Sequence, residues 1–265
     1  MSNGRTRLAP SPTGALHLGN ARTFLVNWAL ARQRGWHIVL RIEDLDGPRL
    51  KPGADQLAID ILKWLGLNWD EGPHYQKHHL APYRAALEQL AEAGLTYPCH
   101  CTRAQIQSAL SAPHADQAEP RYPGTCRPAE AATVAFAVDE DLRPAWRLRV
   151  PDETIEFKDA FAGPRSVNVH EQVGDFVIAT RHQLPAYQLA VVVDDAAQGI
   201  DRVVRADDLI DSTGRQLLLY RLLNLSPAPH YLHLPLVLGP DGRRLAKRHG
   251  DTRVASYRDQ GVSPA

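Results

Sequence analysis

The sequence predicts an α/β fold: a parallel sheet with helices on both faces, an inserted α+β subdomain, and the start of a C-terminal helical segment. Three observations carry this. Up to Ile42 the chain reads strand, helix, buried strand, the order of a βαβ unit. From about Tyr97 to Gly174 the texture changes, and all three cysteines, several prolines and an alternating apolar stretch fall there. Apolar, β-branched segments return from Ala186 to Leu238 and lead into a basic loop.

Each element has its own signal. Arg5–Ala9 is a short strand. Ala21, Phe24, Leu25, Trp28 and Ala31 recur at helical spacing over 20–34, and Gly35 stops that helix. His37–Ile42 is a nearly continuous apolar run, as expected of a strand covered on both faces. Helices follow over 56–65 and 81–93, the second with Pro82 in its first turn and Gly94 after its last. Trp146–Val150 alternates like a half-buried strand. Ala186–Asp195 and Asp201–Arg205 restore the parallel-sheet texture. Next comes a helix capped around Ser212 that carries Leu217, Leu218 and Leu222. Tyr231–Leu238 is the last strand, turning through Gly239-Pro-Asp-Gly242. The implied units are 1–98 and 175–238 as two halves of the sheet, 99–174 as the insertion, and 239–265 as the basic loop with the start of the helical segment.

Bulk properties narrow the class. With 265 residues and 44% hydrophobic content the chain can bury one large core. Thirty basic and thirty acidic residues cancel, so any nucleic-acid contact needs a local basic face, for which Arg243, Arg244, Arg248, Arg253 and Arg258 are candidates. The polar start Met1-Ser-Asn-Gly-Arg is no secretory leader, and the longest apolar run, Leu189–Val193, is far too short to span a membrane. An odd cysteine count argues against a disulfide framework. These points describe a cytoplasmic protein with no membrane contact, read as a monomer.

Two segments at opposite ends of the chain carry the chemistry. Pro10–Asn20 runs from a strand through a Gly/Pro-shaped turn into a helix mouth. Gly14 and Gly19 allow close backbone approach, the helix N-terminus favours a phosphate, and His17 can donate to a phosphoryl oxygen. Near the other end, Lys247 sits between arginines on a short loop, where it can neutralise charge developing at phosphorus. Taken singly, each has a plain alternative: a proline-rich turn, or a solvated basic loop. Cys99-His-Cys101 and Cys126 form a candidate metal site; three thiolates leave one tetrahedral position open, for which His100 and His114 are available.

Taken together, His17-Leu-Gly-Asn20 and Arg244–Arg248 resemble the two nucleotide motifs of class I aminoacyl-tRNA synthetases, a family with a Rossmann-like catalytic domain. Arg7-Leu-Ala-Pro-Ser-Pro-Thr-Gly14, Arg41-Ile-Glu-Asp44, Tyr187–Asp195 and Lys247-Arg-His-Gly250 resemble the glutamyl subgroup. Arg244 and Ala246 depart from that loop pattern, which usually has serine at the second of these positions. The resemblance implies catalytic roles for His17 and Lys247. It implies an ATP site at Pro12, Thr13, Gly14, His17, Gly19, Asn20 and Lys247, with Mg²⁺ accompanying ATP. It implies an L-glutamate site at Arg7, Ala9, Ser11, Glu43, Tyr187 and Arg205, in which two arginines and a hydroxyl suit carboxylates and Glu43 suits the ammonium group. In the short paralogues of this subgroup a tyrosine four residues before the last cysteine completes a structural Zn²⁺ site, which implies Cys99, Cys101, Tyr122 and Cys126 here. The sequence ends at Ala265, soon after Lys247, which resembles those paralogues, whose acceptor is queuosine in the anticodon of tRNA(Asp). A glutamyl-tRNA synthetase fragment charging the tRNA 3′ end and an inactive nucleic-acid-binding paralogue are the competing readings.

Overall fold

The computed structural model describes residues 4–108, 121–131, 133, 134, 136, 144–243, 245 and 251–264. His114, Arg244, Ala246, Lys247 and Arg248 lie outside the described residues.

The chain begins with β1 (Arg5–Leu8), α1 (Leu18–Arg34), β2 (His37–Ile42), α2 (Ala54–Trp64) and β3 (Glu71–Tyr75). β1 pairs in parallel with β2, and β2 with β3. The apolar run of β2 is explained by burial on both faces: Ile38, Val39, Leu40 and Ile42 are fully covered. α1 ends where Gly35 turns left-handed (φ 65°) and donates to the Ala31 and Arg32 carbonyls, a conformation that costs glycine little. Ala58, Ile61 and Leu62 of α2 pack with Leu8, Leu40 and Ile42 in one core.

The middle of the chain holds α3 (Ala81–Glu92), β4 (Thr96–Cys99), α4 (Arg103–Ser108), β5 (Ala145–Leu148), β6 (Thr154–Asp159), β7 (Gly163–Asn168), α5 (Val169–Gln172) and β8 (Val177–Ala179). Here pairing is antiparallel: β4-β5-β8 form one small sheet and β6-β7 a hairpin. The chain then returns to parallel pairing with α6 (Tyr187–Ala197), β9 (Arg202–Ala206), α7 (Ile210–Leu222) and β10 (His230–Leu234), followed by α8 (Val254–Asp259). Asp201 N donates to Arg5 O at 3.0 Å, and its carboxylate accepts from Arg5 N at 2.6 Å, which lays β9 beside β1. The strands therefore run β3-β2-β1-β9-β10. Connections leave β1 in opposite directions, and the crevice at such a reversal is where open parallel sheets bind ligands.

Three local expectations change. Ala186–Asp195 is helical, as α6, and not part of the sheet. Leu189 to Val193 are all buried, and all but Val191 join the core of Leu90, Trp146, Leu148, Ile178 and Leu218, so this stretch is covered nearly all round and shows no helical period. Ser212 is not a cap: α7 starts at Ile210 after a 3₁₀ turn, and the Ser212 hydroxyl accepts from Gln188 Nε2 at 3.0 Å. β10 stops at Leu234, because Pro235 has no N–H to continue the ladder. Among the described residues no helix is long and apolar enough to cross a membrane.

Candidate active site

A cavity of about 790 Å³ opens at the carboxyl ends of β1 and β9 and at the mouth of α1. Arg7, Ala9, Ser11, Thr13, Gly14, His17, Gly19, Asn20, Glu43, Tyr187 and Arg205 all line it. Pro12 does not; it is buried, and its carbonyl accepts from Lys51 N at 3.0 Å, which fixes the turn. A Cβ at Gly14 or Gly19 would meet no protein atom within 4 Å, so packing does not explain these glycines and the space beside each backbone is open.

His17 is the N-cap residue of α1. Its backbone N–H points to Asn20 Oδ1 at 3.4 Å, and its ring Nδ1 lies 3.0 Å from the buried Thr252 hydroxyl. Leu18 N donates to Thr252 O, and Val254 N to Leu16 O, both at 2.9 Å. The segment just after the basic loop is thereby laced to the histidine turn. Thr252 carried no signal in the sequence, since an isolated threonine after a loop has no period and no motif.

Arg7, Glu43 and Arg205 line the cavity, and a dense set of charges packs around and behind them. Arg41, only 1% exposed, donates to Asp195 Oδ1 at 2.7 Å and to Gln198 at 3.0 Å, and lies 3.4 Å from Glu43. Asp194 accepts from Gln76 at 2.6 Å and from Tyr83 at 2.7 Å. Arg7 sits 3.4 Å from Asp195. Burial pushes the Glu43 carboxyl upward, opposed by Arg41 and Arg7. Arg205 is buried and held by three neutral acceptors: His233 Nε2 at 2.9 Å, Gln216 Oε1 at 2.9 Å and Thr213 Oγ1 at 3.0 Å. Its guanidinium also lies 5.3 Å from the Tyr231 ring centroid. Three arginines and three carboxylates balance here before any ligand enters. Arg41 did leave a trace in the sequence: a charge inside an apolar strand run must be paired when buried.

Away from the cavity, Cys99, Cys101 and Cys126 place their sulfurs within 4.8 Å of one another. The Tyr122 hydroxyl stands 3.5 Å from Cys99 Sγ and 3.9 Å from Cys101 Sγ, and accepts from Cys126 N at 2.8 Å. Arg147 donates through Nε to Cys99 Sγ at 3.2 Å while its guanidinium covers the Tyr122 ring at 3.6 Å. Although burial opposes it, hydrogen bonds from His100 N, Cys101 and Tyr122 bring the Cys126 thiol down to about 7. Three sulfurs and a phenol converging beside a fixed cation suit a thiophilic metal ion held by anionic ligands. His100 contributes its backbone here rather than its ring.

A βαβ unit with a histidine at the helix mouth, a parallel sheet that reverses beside it, and an arginine-lined pocket at the strand ends are the marks of a class I aminoacyl-tRNA synthetase catalytic domain. The family model described as tRNA synthetases class I (E and Q), catalytic domain, matches residues 4–265. A glutamyl-Q tRNA(Asp) synthetase from Symbiobacterium thermophilum is 48% identical over 97% of this chain and 82% of its own length. A glutamate–tRNA ligase from Geobacter sulfurreducens is 42% identical over 100% of this chain but 55% of its own length. The crystal structure of a glutamate tRNA ligase from Elizabethkingia meningosepticum superposes with a TM-score of 0.80 at 29% identity, covering 94% of this chain and 53% of that one. The chain belongs to this class I family and, within it, to the glutamyl-Q tRNA(Asp) synthetases.

Proposed function

We propose that the chain activates L-glutamate with ATP and transfers the glutamyl group to queuosine in the anticodon of tRNA(Asp). The observation that carries this reading is the identity to relatives of that name, 48% for the Symbiobacterium thermophilum protein against 42% for the Geobacter sulfurreducens glutamate–tRNA ligase. The chemistry starts with an oxygen of the glutamate α-carboxylate attacking the α-phosphorus of ATP, with pyrophosphate leaving in line. His17 and Lys247 stabilise the phosphoryl oxygens, and Mg²⁺ enters as the counter-ion of ATP. Thr13, Gly14, Gly19 and Asn20 line the nucleotide end. Arg7, Ser11, Tyr187 and Arg205 hold the carboxylates, and Glu43 the ammonium group. A cyclopentenediol hydroxyl of queuosine then attacks the acyl carbon, and AMP leaves. Arg243, Arg253 and Arg258 with the loop arginines give the tRNA a local basic face.

The Cys99, Cys101, Tyr122 and Cys126 set holds one structural Zn²⁺, in an insertion over 99–174 between sheet halves at 1–98 and 175–238. The same reading makes the protein a cytoplasmic monomer. The deciding experiment charges tRNA(Asp) with and without queuosine, and tRNA(Glu), using labelled glutamate. Label on queuosine-containing tRNA(Asp) alone is expected. Label on tRNA(Glu) and none on queuosine would overturn the reading in favour of 3′-end charging, which the 42% identity to a glutamate–tRNA ligase over 100% of this chain keeps as the second reading.

A further inference from the structure

Among the described residues the hydrogen-bond acceptors that hold Arg205 are neutral, yet one of them rests on a buried carboxylate from a distant part of the chain. His233 is 0% exposed, and its Nδ1 lies 2.7 Å from Asp159 Oδ2 while its Nε2 lies 2.9 Å from Arg205 Nε. Arg205 Nε always carries a hydrogen, so His233 Nε2 must offer its lone pair. An ionised Asp159 only accepts, so His233 Nδ1 must carry the hydrogen. Both contacts select one tautomer. Asp159 is anchored independently: Oδ1 accepts from Phe161 N at 3.0 Å and Ala162 N at 2.7 Å, and Oδ2 accepts from His233 N at 3.1 Å. The strand register completes the arrangement, because His233 on β10 is the direct partner of Arg205 on β9.

We infer that Asp159 and His233 are positioning residues for glutamate binding: the carboxylate fixes the imidazole tautomer, and the imidazole fixes the Arg205 guanidinium. A carboxylate placed directly on Arg205 would orient it equally well but would cancel the charge the substrate carboxylate needs. Setting a neutral imidazole between the two keeps the orientation and spares the charge. The β6-β7 hairpin, which belongs to the antiparallel part of the molecule, thereby supports the pocket's Arg205 from behind, through His233. This role rests on the glutamate pocket proposed above.

Asp159→Asn is the discriminating variant. Either orientation of the new amide sets its NH₂ against donors, the Phe161 and Ala162 N–H groups on one side or the His233 N–H and Nδ1–H on the other. With the oxygen kept on the hairpin turn, His233 must move its proton to Nε2, where it opposes Arg205 Nε–H. Glutamate-dependent ATP–pyrophosphate exchange would be measured alongside ¹⁵N NMR of the imidazole tautomer. The expected result is an Nδ1–H tautomer in the wild type, and in the variant an Nε2–H tautomer with glutamate KM raised about tenfold or more. ATP KM should stay within about threefold, since the hydrogen bonds described for Arg205 go to His233, Gln216 and Thr213 and none to the His17 turn. His233→Gln, which keeps an acceptor near the Nε2 position, should stay close to the wild type, and His233→Leu should match Asp159→Asn. Four results would overturn the inference: an Nε2–H tautomer in the wild type, a switched tautomer with unchanged glutamate KM, equal losses for ATP and glutamate with a lower Tm in every variant, or His233→Leu binding glutamate as the wild type does. A wild-type protein with no glutamate-dependent exchange would instead overturn the reading of the pocket itself.

Discussion

Replacing Glu43 with glutamine should weaken glutamate binding while leaving the fold as stable as before or more so. The carboxylate sits in a cavity wall with 10% of its side chain exposed, 3.4 Å from both Arg41 and the Ser11 hydroxyl. A substrate ammonium about 4 Å away, at an effective dielectric near 20, interacts with it by about 4 kcal/mol. Competition from the two nearby arginines and solvent at the cavity mouth reduce that to about 2–4 kcal/mol, or ~30–1000-fold in glutamate KM. Stability should move the other way. Burial raises the Glu43 pKa in the folded chain, so the folded state binds the proton more tightly than the unfolded one. Stability from this group therefore falls as pH rises from the unfolded carboxylate range through the raised folded pKa. The Tm difference between Glu43→Gln and the wild type should be near zero at acid pH and grow in favour of the variant toward neutrality. Exchange kinetics across glutamate concentrations and thermal melts across pH test both halves. An unchanged glutamate KM, or a variant that loses Tm as pH rises, would refute the reasoning.

Further outcomes are expected. Lys247→Ala should slow exchange by about 10²-fold or more with little change in glutamate KM, since a group acting on the transition state appears in kcat; full retained activity would remove the loop from the chemistry. Thr252→Val should lower kcat about five- to tenfold through the lost contact to His17, leaving glutamate KM alone, which exchange kinetics would resolve. Purified protein should contain about one Zn²⁺ per chain by elemental analysis, and Cys126→Ala should release it and lower the Tm. Gly174→Ala should act in the same direction, because Gly174 has φ +71° and a Cβ there would meet Tyr122 O at 2.8 Å.

Legibility in the sequence followed physical range. The βαβ start could be read because its signals are local: a periodic helix, a glycine stop and an apolar strand run. His17, Glu43 and Arg205 could be placed at one edge because parallel strands all end there. α6 was misread because burial on every side erased the period that separates helix from strand. Asp159, His233 and Thr252 were invisible for another reason. Each acts through a partner far along the chain, 74 residues for the Asp159–His233 contact and 235 for His17–Thr252. No local pattern records such a pairing, whereas the three cysteines could be grouped because thiolates are few in this sequence and share an affinity for one kind of metal ion.

The lacing of Thr252 to the histidine turn has a mechanical consequence. Upstream, Leu245 N is bonded to Val237 O at 2.8 Å and its side chain lines the cavity. Downstream, Thr252 and Val254 are tied to the start of α1. Lys247 follows Leu245 by two residues, so its Cα can stray no more than about 7 Å from that anchor. The reach of the loop between the two anchors is thereby bounded by chain length alone. Lengthening the chain between Leu245 and Thr252 would loosen that bound while leaving the contacts of both anchors in place.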